Sequence, residues 1–372
     1  MLALDIRFNM YKVKYDKLDH LTRTLFHSQH ISTVNIFISL DDIYWHCRNG
    51  QSNHEVQCCG NMAPKQLVSN VLNIIAHYRE WAVRKNLTVK VYAYYTMSTI
   101  FENRSIRHDY RSNYISRSDI TNADCYYVNN CIREAAPILK TVTQYIDGVY
   151  VVDTRGLEPS AFPHLMATEL SDSPADWNFL ITKDIVEFQY AYYDKFSVIY
   201  PKGDDSMLLD TPSTWRHIAN KEKVESEYLY KYPDAFLPIT LAIVGDKKRS
   251  IPKIKGLSWR TMMRMMDDII VDNTGLDPYS HAMKFLDSLE AKNYKMSEIQ
   301  TNLNLVQPST NAALASDVVK ENIRLQFIDT PDYNSLMELN RSPELFASCP
   351  INIRFLTRVG DVKPISPFKL NY

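Results

Sequence analysis

Lys247, Lys248, Arg249, Lys253, Lys255 and Arg260 lie within the stretch LPITLAIVGDKKRSIPKIKGLSWRTM, residues 237–262. Cations this dense suit phosphate esters, because each neutralises a backbone charge and releases a counterion. A second segment, residues 103–117 (NRSIRHDYRSNYISR), carries Arg104, Arg107, Arg111 and Arg117 with Tyr110, Tyr114 and His108 among them. Arginines interleaved with rings can grip phosphates and stack on bases, and the same composition also describes a solvated helix face. His46, Cys47, His54, Cys58 and Cys59 are zinc-ligating types, but they lack the paired C-x-x-C spacing that marks a zinc site; the six cysteines also show no even framework spacing, so reduced thiols are expected.

The elements that must position these groups read as α/β. Residues 34–40 (VNIFISL), 89–95 (VKVYAYY), 148–153 (GVYVVD), the start of 177–189 (WNFLITKDIVEFQ) and 196–200 are short runs rich in β-branched and aromatic residues. Such runs predict buried parallel strands, and helical patterns over 65–85 and 123–144 fall between them. Further helices are expected at 259–266, 279–290, 296–303 and 312–328. The chain divides into an N-terminal extension (1–30), an α/β core (31–205), a helical region (206–350) and a C-terminal tail (351–372). The extension reads as either a packing arm or a partner contact.

Composition narrows the functional classes. The 372 residues carry a formal net charge of −1, so nothing attracts nucleic acid globally and any contact must come from local basic patches. Only 9 glycines occur beside 24 tyrosines, few for a chain that must bring its backbone close to phosphates. No apolar run approaches the roughly 20 residues that span a bilayer, so a soluble, cytoplasmic protein without membrane contact is expected, in the host cytoplasm or virion if the source is a phage or virus.

Gly245, Asp246, Ile251, Pro252, Gly256, Leu257 and Thr261 fall at offsets that resemble the helix-three-turn-helix of the 5'-nuclease superfamily, the flap endonucleases and bacterial or phage 5'-3' exonucleases. Tyr110-Arg111 resembles the Tyr-Lys of that family's arch, with Arg104 or Arg107 as its preceding arginine. Glu158, Asp184 and Gln189 also match in order and spacing. The resemblance covers about residues 33–350 and implies a PIN-like α/β fold with a C-terminal helix-three-turn-helix. It implies DNA held by its backbone, and hydrolysis by paired divalent ions.

The resemblance is degenerate where the chemistry lies. Ser39, Tyr95, Ser160, Ala161, Val186 and Arg249 stand where the family places acidic groups, while Glu158, Asp184 and Asp246 remain. Asp41 and Asp42, just beyond the first strand, are expected to cap the following helix. Two metals about 3.5–4 Å apart repel unless a cluster of carboxylates neutralises them. Three carboxylates imply no metal, or one weakly bound Mg or Mn ion, and Arg249 turns a negative position positive. The sequence therefore points to an inactive nuclease-like protein that binds branched or duplex DNA through Arg104, Arg107, Arg111, Lys247, Lys248, Arg249, Lys253, Lys255 and Arg260. Two alternatives stay open. One is a structural subunit of a larger assembly that binds protein partners and no nucleic acid; the other is an active nuclease with a rearranged site using Asp41, Asp42 or Asp153.

Overall fold

The structure, a computed structural model, describes residues 11–48, 64–97, 101–111, 123–144, 146–171 and 173–327. Helix α1 (Tyr15–Ser28) precedes β1 (Thr33–Ser39), α2 (Leu40–Arg48), α3 (Pro64–Arg84), β2 (Thr88–Tyr95), α4 (Ala123–Thr143) and β3 (Val149–Asp153). After α5 (Phe162–Leu165) come β4 (Trp177–Ile181), β5 (Phe196–Tyr200) and β6 (Met207–Leu209). The helical region holds α6 (Thr211–Glu222), α7 (Phe236–Val244), α8 (Trp259–Asp272), α9 (Pro278–Ala291), α10 (Met296–Val306), α11 (Pro308–Ala313) and α12 (Asp317–Leu325).

The six-stranded sheet has the order β3-β2-β1-β4-β5-β6, parallel except for the antiparallel pair β5–β6. Side chains alternate across it as strand geometry requires. Val34, Ile36 and Ile38 of β1 pack with Val71, Ile75 and Trp81 of α3 on one face. On the other, Phe37, Tyr92, Tyr94 and Leu180 pack with Phe162 and with α7, α8 and α10, so sheet and helical region share one continuous core. The expected strands are all present.

Two expectations need correction. The helix pattern over 312–328 is broken, because Ser316 caps a new start by accepting from the amide of Val319 at 3.4 Å. Asp41 and Asp42 do not cap α2, which starts one residue earlier. They sit in its first turn, where their charge suits the helix dipole, while Ser39 Oγ accepts from the Asp42 amide at 3.4 Å.

The described part of the N-terminal extension packs onto α3. Tyr11, Val13 and Leu18 are buried against α3. The Tyr78 hydroxyl donates to Tyr11 O at 3.0 Å, and His77 Nε2 lies 2.7 Å from Val13 O. At the other end of the described chain, the Gln326 side chain meets the outer edge of β3. Its Nε2 donates to Asp153 O at 2.7 Å and its Oε1 accepts from the Asp153 amide at 2.8 Å.

Candidate functional site

In an open parallel sheet, ligands favour the crevice beyond the strands' carboxyl ends, where the strand order reverses. Here that point lies beside β1, with β2 on one side and β4 on the other. The chain leaving β4 turns at once: the Asp184 amide donates to Thr182 Oγ1 at 2.9 Å, and Asp184 Oδ1 accepts from the Val186 amide at 3.0 Å. Glu158 comes from the loop after β3 and directly precedes the turn Pro159–Ala161, whose opening proline suits the start of a helical turn.

The third carboxylate comes from the α7–α8 connection. Gly245 has φ 71, and a Cβ there would lie 2.6 Å from Ile251 O, so this position excludes every side chain. Asp246 bridges to Ile251 in an antiparallel pair, and Asp246 Oδ1 accepts from the Lys248 amide at 2.7 Å and the Arg249 amide at 3.3 Å. Ser250, at φ 56, closes the turn. Asn302 of α10 fixes it from below, its Nδ2 donating to Ala242 O at 2.8 Å and Pro252 O at 2.9 Å.

This turn directs Arg249 inward. Its side chain is only 2% exposed, and its guanidinium reaches all three carboxylates. Nε donates to Glu158 Oε1 at 3.0 Å, Nη2 to Asp184 Oδ2 at 3.0 Å, and Nη1 to Asp246 Oδ2. Glu158 is also held by Arg111 through Nε at 2.7 Å and Nη2 at 2.6 Å, and by the Tyr110 hydroxyl at 2.6 Å. Lys248 Nζ lies 3.3 Å from Asp184. The Arg111 amide donates to Arg249 O at 3.1 Å, tying the two cation-bearing segments together. Three carboxylates thus face three cations. Burial alone would push Glu158 and Asp184 up, but Arg111 and Arg249 on the first, and Arg249 and Lys248 on the second, hold both well below the usual carboxylate range.

A second set of buried acids lies at the same edge. Asp42 Oδ2 accepts from the Tyr11 hydroxyl at 2.9 Å and the Lys183 amide at 2.8 Å. Glu187 accepts from the Tyr94 hydroxyl at 2.7 Å, and burial together with the neighbouring Asp184 charge pushes it up to about 8. Glu187 and Tyr11 are the participants that sequence reading misses. The available signal is that Glu187 stands one residue beyond Val186, where an acid is expected.

The structure therefore sorts the expected phosphate-binding residues into three groups. Lys247, Lys253, Lys255 and Arg260 are exposed along the α7–α8 connection and the first turn of α8. Arg249 and Arg111 are instead buried counter-ions, their guanidiniums turned toward carboxylates; Arg111 also lies 5.2 Å from the Phe101 ring centre. Lys248 is partly buried beside Asp184. Arg104 donates to Tyr110 O at 3.3 Å, and Arg107 pairs with Asp109 at 2.7 Å. Tyr114 and Arg117 lie outside the described residues, as do His54, Cys58 and Cys59.

Asp153, proposed for a rearranged site, accepts from the amides of Met97 at 3.2 Å and Arg155 at 3.1 Å. Among the described residues no group of three His, Cys, Asp or Glu side chains is arranged to hold a metal ion. Glu158, Asp184 and Asp246 do not fit a metal pair, because a guanidinium already lies among them. No helix among the described residues is long and apolar enough to cross a membrane.

No protein-family model matches the chain, and no curated protein matches it. Solved structures do. The T5 flap endonuclease in a pseudo-enzyme–product complex with DNA and metal ions is 15% identical, over 80% of this chain and 98% of its own, at a TM-score of 0.46. The T5 5'-exonuclease with bound zinc is 14% identical, over 81% of this chain and all of its own, at 0.46. These are bacteriophage 5'-nucleases. At such identities the likeness concerns the fold alone.

Proposed function

We propose that this chain is a catalytically inactive nuclease-like protein that holds the phosphate backbone of duplex or branched DNA. The observation that carries the reading is the division of labour along the connection between α7 and α8. Arg249 folds inward onto Glu158, Asp184 and Asp246, while Lys247, Lys253 and Lys255 of the same connection and Arg260 at the start of α8 stay at the surface. Paired-metal hydrolysis needs those carboxylates as ligands, and here they are spent on internal ion pairs. The surface cations, carried on a connection that resembles a helix-three-turn-helix, lie where a phosphate backbone can reach them.

Fluorescence anisotropy with nicked and flapped duplexes across a salt series tests this. Binding is expected to weaken with salt, with log K falling by about 0.9 per phosphate contact for each unit of log salt. Replacing Lys247, Lys253, Lys255 and Arg260 by alanine should flatten that slope and leave the melting temperature unchanged. Cleavage of either substrate with Mg or Mn, abolished by Asp184→Ala, would refute inactivity.

A scaffold reading is favoured by one separate observation. Val271, Leu276, Tyr279 and Met283 are exposed around the α8–α9 connection, with Tyr279 73% exposed. Absence of DNA binding at low salt would leave that reading standing.

A further inference from the structure

We infer that the Arg249 guanidinium is a built-in cation that takes the place of a divalent ion among Glu158, Asp184 and Asp246, making nucleic-acid binding at this edge independent of metal. The inference deepens the DNA-binding reading and, for its second half, rests on it.

Three buried or half-buried carboxylates at the carboxyl edge of a sheet would repel a phosphate backbone brought alongside. Either mobile cations or fixed ones must cancel that field. The chain supplies fixed ones. Each nitrogen of the Arg249 guanidinium faces a different carboxylate, coming from three separate parts of the chain. A planar group that presents donors in three directions does what a lysine ammonium at one point cannot. The group is also preset: Asp246 Oδ1 holds the Lys248 and Arg249 amides, the Arg249 carbonyl is held by the Arg111 amide, and Gly245 allows the tight approach. A divalent ion entering from solution would have to displace a cation tethered in place by its own backbone.

Mn titration followed by electron paramagnetic resonance tests the first half. The unaltered protein should leave Mn in its free aqueous form. Arg249→Ala should bind a hydrated Mn ion, and adding Glu158→Gln to that variant should weaken Mn binding at least tenfold. Equal Mn affinity in the unaltered protein and in Arg249→Ala, or a folded Arg249→Ala that binds no Mn, would overturn the inference. If Arg249→Ala does not fold by itself, Mn should restore its circular-dichroism melting transition, and failure of Mn to do so counts against the inference equally.

The second half is read by anisotropy with a nicked duplex in EDTA and in millimolar Mg. Equal affinity in the two supports the inference. Binding only with Mg overturns it and leaves the DNA reading intact. Binding in neither condition sinks the DNA reading and with it the metal-independence claim, while the Mn arm still decides the role of Arg249.

Discussion

Two sets of buried acids share one sheet edge and are kept by opposite means. Glu158 and Asp184 meet guanidinium and ammonium groups and stay ionised. Glu187 meets the Tyr94 hydroxyl, and burial beside the Asp184 charge keeps it largely protonated near neutrality. Burial penalises the charged forms of Glu158, Asp184 and Glu187 alike, so the difference lies in what reaches them: counter-ions for the first two, a hydroxyl and a proton for Glu187.

Removing the central cation should break this contrast most severely. Arg249→Ala leaves three carboxylates without their shared partner and is expected to cost about 3–5 kcal/mol in urea unfolding at pH 7. Arg249→Lys should recover only part of that, since an ammonium cannot face three carboxylates at once.

The protonated acid responds to pH instead. Its folded-state pKa, about 8, lies above its ordinary 4.5, so the folded chain binds that proton more tightly between the two values. Its stabilising contribution is fully present below about 4.5 and is lost as pH rises through 8, at up to about 1.4 kcal/mol per pH unit. Glu187→Gln, which cannot ionise, should therefore gain on the unaltered protein by roughly 2–4 kcal/mol as urea unfolding is moved from pH 5 to pH 8. Glu158 and Asp184 run the other way: their contribution is present above about pH 4 and falls away on acidification.

Smaller effects sharpen the picture. Asn302→Ala strips the donor from two carbonyls beneath the turn and should cost about 1–3 kcal/mol by the same measurement. Tyr94→Phe should cost about 1 kcal/mol. It should also raise the Glu187 midpoint further in a carbon-13 NMR titration, because the lost hydrogen bond favoured the ionised form.

How much of this was legible in the sequence follows from the range of the interactions. The strands could be read because runs such as VNIFISL and VKVYAYY declare burial on both faces within a few residues. The Asp246–Arg249 contact spans only three residues, yet Arg249 read as a phosphate-binding residue, because nothing local says that its guanidinium turns inward. Arg111 was not legible as a core residue, since its partner Glu158 is 47 residues away and an arginine in a polar segment resembles a surface residue. Tyr11 stayed hidden for a stronger form of the same reason: it reaches Asp42 and Ile181 O, 31 and 170 residues on.

The Gln326 amide against β3 carries a consequence for association. An outermost strand offers unmet peptide groups to any extended chain that drifts past, including a copy of itself. By imitating one residue of a neighbouring strand at Asp153, a single glutamine blunts that template where the sheet would otherwise keep growing.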